Sequence, residues 1–231
     1  MSAPGLPRDA IYFAPDPRHP LWHAGCAWLG RDARSAAPSP PARPGVQHPW
    51  RYGWHATLKA PMRLAPGTSE ADWLDDVARL AASHPAFTMP ALQVGWLTDF
   101  LALQPRDALP PDHPLRRLAD DCVLRLDRWR AAPDEAERER QRRSARTARQ
   151  AGQVERLGYA HVLDDWRFHM TLSDSLAGLD ETTAGQLHRQ AVDHFAEALA
   201  EPLQCDALCV FVEPSPGAPF ELRHRLALGA R

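Results

Sequence analysis

The sequence predicts an α+β protein built from antiparallel strands, with helices on one face of the sheets and two similar lobes. Short apolar segments alternate with amphipathic segments along the 231 residues. Many connections between strand-like segments are too short for the crossovers that parallel strands require. The succession of helix, strand, helix and strand pair occurs in both halves of the chain. We therefore expect a single bilobal domain over residues 1–231.

The N-terminal half contains four strand-like and two helix-like segments. Strands are predicted at Ala10–Ala14, Gly53–Lys59, Ala91–Leu97 and Phe100–Gln104, each ended by proline or turn residues. Helices are predicted at Pro20–Leu29, where proline suits a first turn, and at Glu70–Ser83, where Thr68 or Ser69 is the N-cap. Five prolines within residues 35–49 predict a surface loop.

The C-terminal half contains the remaining elements. Helices are predicted at Leu115–Trp129 and Thr182–Ala200, and strands at Trp166–Ser173, Cys205–Glu213 and Phe220–Leu228. The last two strands form a pair across a turn rich in proline. Residues 134–156 are highly charged and poor in large apolar side chains, which predicts a helical excursion from the domain.

Composition excludes several classes of protein. Twenty-seven basic and twenty-nine acidic residues give a net charge of −2, which makes nucleic acid the less favoured partner. No apolar run approaches the roughly 18 residues of a membrane helix, and the start has no signal-peptide core. Four cysteines without a C-x-x-C pair indicate free thiols. We expect a cytoplasmic protein without membrane contact, metal, cofactor or obligate protein partner.

Two copies of the pattern H-x-T-L stand out. They are His55-Ala56-Thr57-Leu58 and His169-Met170-Thr171-Leu172, and two copies are improbable by chance. Alternate side chains of a strand share a face, so each histidine is expected beside a threonine two positions on. Lys59, the only lysine in the chain, extends the first polar row, and Arg167 belongs to the second.

Paired imidazoles indicate acid–base chemistry. Imidazole titrates near pH ~6.5, so one ring can take a proton while the other donates one. The residues expected to hold phosphate oxygens are Thr57, Thr171, Lys59 and Arg167, with Tyr52 and Tyr159 lining the pocket. Structural roles compete with these functional ones, since threonine favours strands, lysine suits strand ends and tyrosine is often buried. The pattern leaves open which histidine is the acid.

The duplicated motifs resemble the two-histidine (2H) phosphoesterase superfamily. The strings RYGWHATLKAP, RLGYAHVLDDWRFHMTLS and VFVEPSPGAPFEL resemble its phosphonate-metabolism branch, associated with carbon–phosphorus lyase operons. The resemblance covers about residues 8–229. It implies two antiparallel sheets with flanking helices around a central cleft, a catalytic pair His55 and His169, and phosphate contacts from Thr57 and Thr171. His161 departs from the branch pattern and is a candidate substitute polar contact.

The resemblance implies a metal-independent phosphodiesterase that opens a small cyclic phosphodiester, with a ribosyl cyclic phosphate favoured. One alternative is RNA end processing, as a 2′,3′-cyclic phosphodiesterase or 2′–5′ RNA ligase, which predicts salt-sensitive binding of oligonucleotides. A second alternative is a non-catalytic protein that binds a nucleotide or phosphate ester. A pure binding site does not need both an acid and a base, so the intact pair of motifs favours the enzyme.

Overall fold

The computed structural model describes residues 6–35 and 39–230, except for the side chain of residue 136. The strands in these ranges are β1 (Arg8–Phe13), β2 (Ala56–Met62), β3 (Phe87–Thr88), β4 (Leu92–Leu97), β5 (Phe100–Pro105), β6 (Met170–Thr171), β7 (Gln204–Cys205), β8 (Ala207–Glu213) and β9 (Glu221–Ala227). The α-helices are α1 (Pro20–Leu29), α2 (Gln47–Tyr52), α3 (Glu70–Ala82), α4 (Pro114–Arg125), α5 (Glu135–Ser144), α6 (Ala148–Leu157) and α7 (Glu181–Ala200).

The main sheet has seven strands in the order β4–β5–β6–β2–β1–β8–β9, and β3 pairs with β7 in a small second sheet. Every pairing between named strands is antiparallel, so the predicted α+β class is confirmed. The two parts of the main sheet meet where β2 joins β6. A single residue pair, Ala56 with Met170, connects these strands, which carry the two H-x-T-L motifs.

The core packs against the sheet and is rich in aromatic side chains. The ring of Trp54, which precedes His55, stacks on Phe195 of α7 with centroids 5.4 Å apart. Gly25 of α1 makes room for that ring, because a Cβ there would lie 2.1 Å from it. The indole N–H of Trp28 donates to the carbonyl oxygen of Leu172 at 2.7 Å. Helix α1 is therefore fixed to both motif segments.

Several helix boundaries follow the sequence and others do not. Helix α1 has the predicted bounds, and Ser69 caps α3 by accepting from the backbone N–H of Asp72. The predicted loop at 35–49 ends early, because α2 begins at Gln47, and part of that loop lies outside the described residues. Pro49 fits α2 because the first turn of a helix does not use its N–H groups.

The C-terminal helices also differ from the prediction. The helix predicted to reach Trp129 ends at Arg125, and a 3₁₀ turn covers Asp127–Trp129. The charged excursion is helical but divided, since α5 ends at Ser144 and Thr147 caps α6 by accepting from the backbone N–H of Gln150. In the part of the chain that the structure describes, no helix has the length and apolarity to cross a membrane.

Of the two motif strands, β2 extends further than predicted at its C-terminal end, and β6 is shorter than predicted. Strand β2 continues through Pro61 to Met62, because Pro61 lies in a bulge without a paired residue on β1. Strand β6 is limited to Met170–Thr171 instead of spanning residues 166–173. The hydroxyl of Ser173 accepts from the backbone N–H of Leu101 at 2.9 Å, where a carbonyl would continue the ladder.

Asp9 on β1 is a buried carboxyl group, 7% exposed, and desolvation raises its pKa to about 6. A raised carboxyl pKa in the folded state makes stability fall as pH rises from the unfolded value toward 6. We expect Asp9→Asn to raise the free energy of unfolding at pH 7 by up to about 3 kcal/mol. Urea unfolding measures this gain, which should shrink below about 1 kcal/mol at pH 4.

The matched control for this prediction is Asp75→Asn on α3, where the carboxylate is exposed. This change should alter the free energy of unfolding by less than about 0.5 kcal/mol at either pH. An Asp9→Asn variant that is equally or less stable than the native chain at pH 7 would contradict the assignment of a costly buried charge.

Candidate active site

A cleft of about 590 Å³ lies over the junction of β2 and β6. Six of the eight residues predicted for the site line it: Tyr52, His55, Thr57, Tyr159, His169 and Thr171. Lys59 and Arg167 do not line it. The fold thus brings the two motifs to one cleft, although they are more than a hundred positions apart in the sequence.

The register between the strands explains the arrangement. Since Ala56 pairs with Met170 in antiparallel sense, His55 lies opposite Thr171 and Thr57 lies opposite His169. Directly opposed side chains are about 5 Å apart, and the diagonal pair of histidines is separated by about 7–8 Å. Both motifs therefore present imidazole and hydroxyl groups on one face, related by a local twofold axis.

Both imidazoles are held in the same way. Nδ1 of His55 lies 2.9 Å from the carbonyl oxygen of Gly53, and Nδ1 of His169 lies 2.9 Å from that of Arg167. A carbonyl oxygen only accepts, so Nδ1 carries the proton and donates in both rings. Nε2 of the neutral ring is left as an acceptor. In His55 it accepts from the hydroxyl of Thr57 at 3.3 Å.

Aromatic rings form the floor below His55. Tyr12 stacks on the imidazole with centroids 3.8 Å apart, and Phe211 packs against Tyr12 at 5.0 Å. Desolvation lowers the pKa of His55 to about 3, and the nearby His169 and His48 disfavour a second positive charge. Desolvation also lowers the pKa of His169, with His161 adding to the effect. The lowered pKa values keep both rings neutral near pH 7.

Lys59 lies in a smaller cavity next to the cleft, so the predicted row with His55 and Thr57 does not form. Between β1 and β2, Tyr12 pairs with Thr57 but Ile11 pairs with Lys59, which leaves Leu58 as a bulge residue. A bulge breaks the alternation of side chains. The ammonium instead donates to the carbonyl of Val123 at 3.2 Å and to Asp127 at 3.3 Å. Desolvation lowers the pKa of Lys59, opposed by Asp127.

Arg167 contributes through its backbone. Its side chain is exposed and outside the cleft lining, while its carbonyl oxygen orients His169. The predicted contact of the guanidinium with substrate has no geometric support. His161 is also exposed and contacts the edge of the Tyr159 ring at 5.6 Å. Within the described residues, no group of three or more His, Cys, Asp or Glu side chains has a metal-binding arrangement.

Sequence reasoning missed most of the charged groups around the cleft. The additional arginine, histidine and acidic lining residues are Arg8, His48, Arg51, Arg63, Asp134, Glu137, Arg140 and Glu213. Arg51 directly precedes Tyr52 in the first motif string, and Glu213 lies in the third string, VFVEPSPGAPFEL, so these two residues had a signal in the sequence. The others come from distant segments, and four of them belong to the charged excursion or bind it. Helix α5 is thus a wall of the cleft.

Arg63 joins β2 to this wall. Its Nη2 donates to Asp134 at 2.8 Å and to Glu137 at 2.5 Å. Arg140 adds a longer ion pair with Glu137, at 3.9 Å. Two cations and two carboxylates make this cluster electrically balanced, so it closes one side of the cleft without adding net charge.

The Nδ1 hydrogen bonds predict a specific tautomer. We expect ¹⁵N chemical shifts of His55 and His169 at pH 7 to show neutral rings protonated at Nδ1, because each Nδ1 donates to a carbonyl. A titration followed by NMR should give both residues pKa values below the 6.5 of free imidazole, since desolvation opposes the charge. Thr57→Val, which removes only the hydroxyl at Nε2 of His55, is the control and should leave the tautomer unchanged. Protonation at Nε2 in the native protein would contradict the arrangement.

The chain is similar in sequence to two known proteins. It is 37% identical over 231 residues to a protein of Janthinobacterium sp. (strain Marseille), covering 95% of this chain and 50% of that protein. It is 36% identical over 222 residues to one of Laribacter hongkongensis (strain HLHK9), covering 93% and 50%. Both are named "Ribose 1,5-bisphosphate phosphokinase PhnN", and the chain spans about half the length of each.

Among solved structures, the chain is similar to E. coli LigT complexed with NADP⁺. The TM-score is 0.45 at 16% identity, with 97% of this chain and 99% of that chain covered. A family described as "Protein of unknown function (DUF1045)" matches residues 57–221, which contain Thr57 and the whole second motif. Because this match covers more than half of the sequence, the chain belongs to the DUF1045 family.

Proposed function

We propose that the protein is a phosphodiesterase that opens a small cyclic phosphodiester by acid–base catalysis with His55 and His169, without a metal ion. The observation that supports this most directly is the matched pair of imidazoles. Each is held by a hydrogen bond from Nδ1 to a backbone carbonyl, and both line the same cleft. Two such groups fit a reaction in which one proton is removed as another is supplied.

The proposed reaction uses His55 as the base. Its depressed pKa keeps Nε2 free of a proton, so it can take a proton from an attacking water. The water oxygen bonds to phosphorus as one ring P–O bond breaks. His169, protonated at Nε2 when the anionic substrate is bound, gives its proton to the departing oxygen. The product is a phosphomonoester, and exchange with solvent restores both rings.

The threonines supply hydroxyl donors to the reacting phosphate in this scheme. Thr171 lies opposite His55 and Thr57 lies opposite His169, and the hydroxyl of Thr57 also lies 3.3 Å from Nε2 of His55. Hydroxyl groups placed there can donate to the non-bridging oxygens as phosphorus becomes five-coordinate. Tyr52 and Tyr159 line the same cleft and complete the proposed substrate contacts.

A ribosyl cyclic phosphate is the favoured substrate. The cleft volume of about 590 Å³ lies within the range of small-molecule sites. The curated relatives have a doubly phosphorylated ribose in their names, although the chain spans only half of them. A kinase phosphate loop of the form G-x-x-x-x-G-K-[ST] is absent here, because Lys59, the only lysine, follows leucine. The likeness therefore supports a ribose phosphate ligand more than the phosphokinase activity.

The proposal predicts that His55 and His169 are each required for catalysis. We expect His55→Ala and His169→Ala each to lower kcat/KM by about 10²–10⁴-fold, because each removes one proton transfer. Phosphorus NMR of ring opening, with chelator present, measures this for ribose 1,2-cyclic phosphate and nucleoside 2′,3′-cyclic phosphates. His23→Ala, an exposed histidine on α1, is the control and should retain native activity.

Three outcomes would separate the alternatives. Opening of nucleoside 2′,3′-cyclic phosphates in preference to the ribosyl substrate would favour RNA end processing. Binding of phosphate esters without turnover would indicate a non-catalytic protein. Full activity in both histidine variants would overturn the mechanism.

The depressed pKa values predict an acidic profile for the free enzyme. Since kcat/KM reports the free enzyme and needs one imidazole protonated, its optimum should lie below pH 6.5. The pH dependence of kcat should be shifted upward, because a bound phosphate anion stabilises the imidazolium. Measuring both profiles from pH 4 to 9 tests the prediction. A kcat/KM optimum above pH 7 would contradict it.

A further inference from the structure

Two arginines in the cleft share one buried carboxylate. Nε of Arg8 donates to Oε2 of Glu213 at 2.5 Å, and Nη2 of Arg51 donates to Oε1 of the same group. The backbone N–H of Gly217 also donates to Oε1, at 2.9 Å. Glu213 is 1% exposed, whereas the side chains of Arg8 and Arg51 are 19% and 33% exposed. The carboxylate is thus enclosed while both cations reach the cleft.

This cluster has an excess of positive charge and of hydrogen-bond donors. Desolvation opposes ionisation of Glu213, but the hydrogen bonds from Arg8, Arg51 and Gly217 hold its pKa below the usual value. Two cations and one anion leave a net charge of +1. Each guanidinium has five N–H groups. Among the described residues, one acceptor contact is found for Arg8 and one for Arg51, both with Glu213.

The other arginine cluster in the cleft differs in this respect. Arg63 and Arg140 face Asp134 and Glu137, so that cluster is neutral and Arg63 is held between two carboxylates. An anionic ligand would have to displace those carboxylates. At Glu213, by contrast, it can use donors that the protein leaves unoccupied.

The cluster is connected to the imidazole pair through rigid neighbours. Arg8 and Tyr12 share a face of β1, four residues or about 13 Å apart along the strand. Tyr12 stacks on His55, and Tyr52, which follows Arg51, has its ring 6.0 Å from the same imidazole. Arg8, Arg51 and both histidines line one cleft. A ligand of the size of a pentose phosphate can therefore contact both regions.

We propose that Arg8 and Arg51, positioned by Glu213, form a second anion site that binds a phosphomonoester carried by the substrate. This inference rests on the proposed function and narrows it to a pentose that has a terminal phosphate in addition to the cyclic diester. Phosphate oxygens are acceptors only, and guanidinium groups bind them with two parallel donors. The site selects the substrate, while the histidines carry out the chemistry.

Kinetics on a matched pair of substrates tests the site. Ribose 1,2-cyclic phosphate and its 5-phosphorylated form differ only in the terminal phosphate. We expect Arg8→Gln and Arg51→Gln each to lower kcat/KM for the 5-phosphorylated form by about 10- to 100-fold, as expected for loss of charged hydrogen bonds. The form without the 5-phosphate should change by less than about threefold. Arg51→Lys should retain an intermediate selectivity, because the positive charge remains but the two parallel N–H donors of the guanidinium are lost.

Each single variant leaves Glu213 with one arginine and Gly217, so the fold should persist, which thermal unfolding checks. Arg189→Gln, an exposed arginine on α7, is the control and should leave both substrates unaffected. If the native enzyme opens both substrates equally well, or if the variants slow both equally, the second site is wrong and the phosphodiesterase stands.

A binding measurement tests the anion site even if the protein opens neither cyclic substrate. Calorimetry with ribose 5-phosphate needs no ring opening and tests the anion site alone. If the native protein opens neither cyclic substrate but binds ribose 5-phosphate, and Arg8→Gln and Arg51→Gln each weaken that binding at least tenfold, the phosphodiesterase fails and the anion site stands. Failure of the native protein to bind ribose 5-phosphate, or equal binding by native protein and variants, would overturn the site.

Discussion

The candidate site depends on one short pairing, that of Ala56 in β2 with Met170 in β6. Antiparallel register around this pair places each histidine opposite the threonine of the other motif. Further pairs between β2 and β6 would align more residues but would not change the diagonal placement of His55 and His169. A shift of one residue would turn every polar side chain of the motif toward the core. Burial of Ala56, Leu58, Met170 and Leu172 on the opposite face therefore fixes the register and, with it, the site.

Helix α1 and its neighbours stabilise this pairing from the core side. Trp54, which precedes the first motif, stacks on Phe195, and the carbonyl of Leu172, the last residue of the second motif, accepts from the indole N–H of Trp28. Near the cleft, the N-terminal N–H groups of Gln47 and His48 are capped by the carboxylate of Asp174, which follows the second motif. The segment that carries Arg51 and Tyr52 is therefore attached to the segment that carries the second motif.

The sequence predicted the two motif strands and their shared cleft better than the surroundings of that cleft. Hydrophobic alternation depends on local pattern, so the paired faces of the H-x-T-L strands could be anticipated. The bulge at Leu58 could not, because it arises from register with β1, and it moved Lys59 out of the cleft. Arg8, Arg51 and Glu213 meet only through the β1–β8 ladder and the end of α2. The spacing of these three residues in the sequence does not predict that their side chains are in contact.

Burial and charge act together in the cleft. Burial and neighbouring imidazoles keep both histidines neutral near pH 7, while Arg8 and Arg51 around Glu213 give the proposed anion site a net positive charge. A bound phosphate favours protonation of one ring, and by linkage a protonated ring binds phosphate more tightly. In the proposed mechanism, the general acid is therefore generated by the ligand on which it acts. A cleft that was charged beforehand would lose this coupling, because both imidazoles would already be occupied by protons and no base would remain.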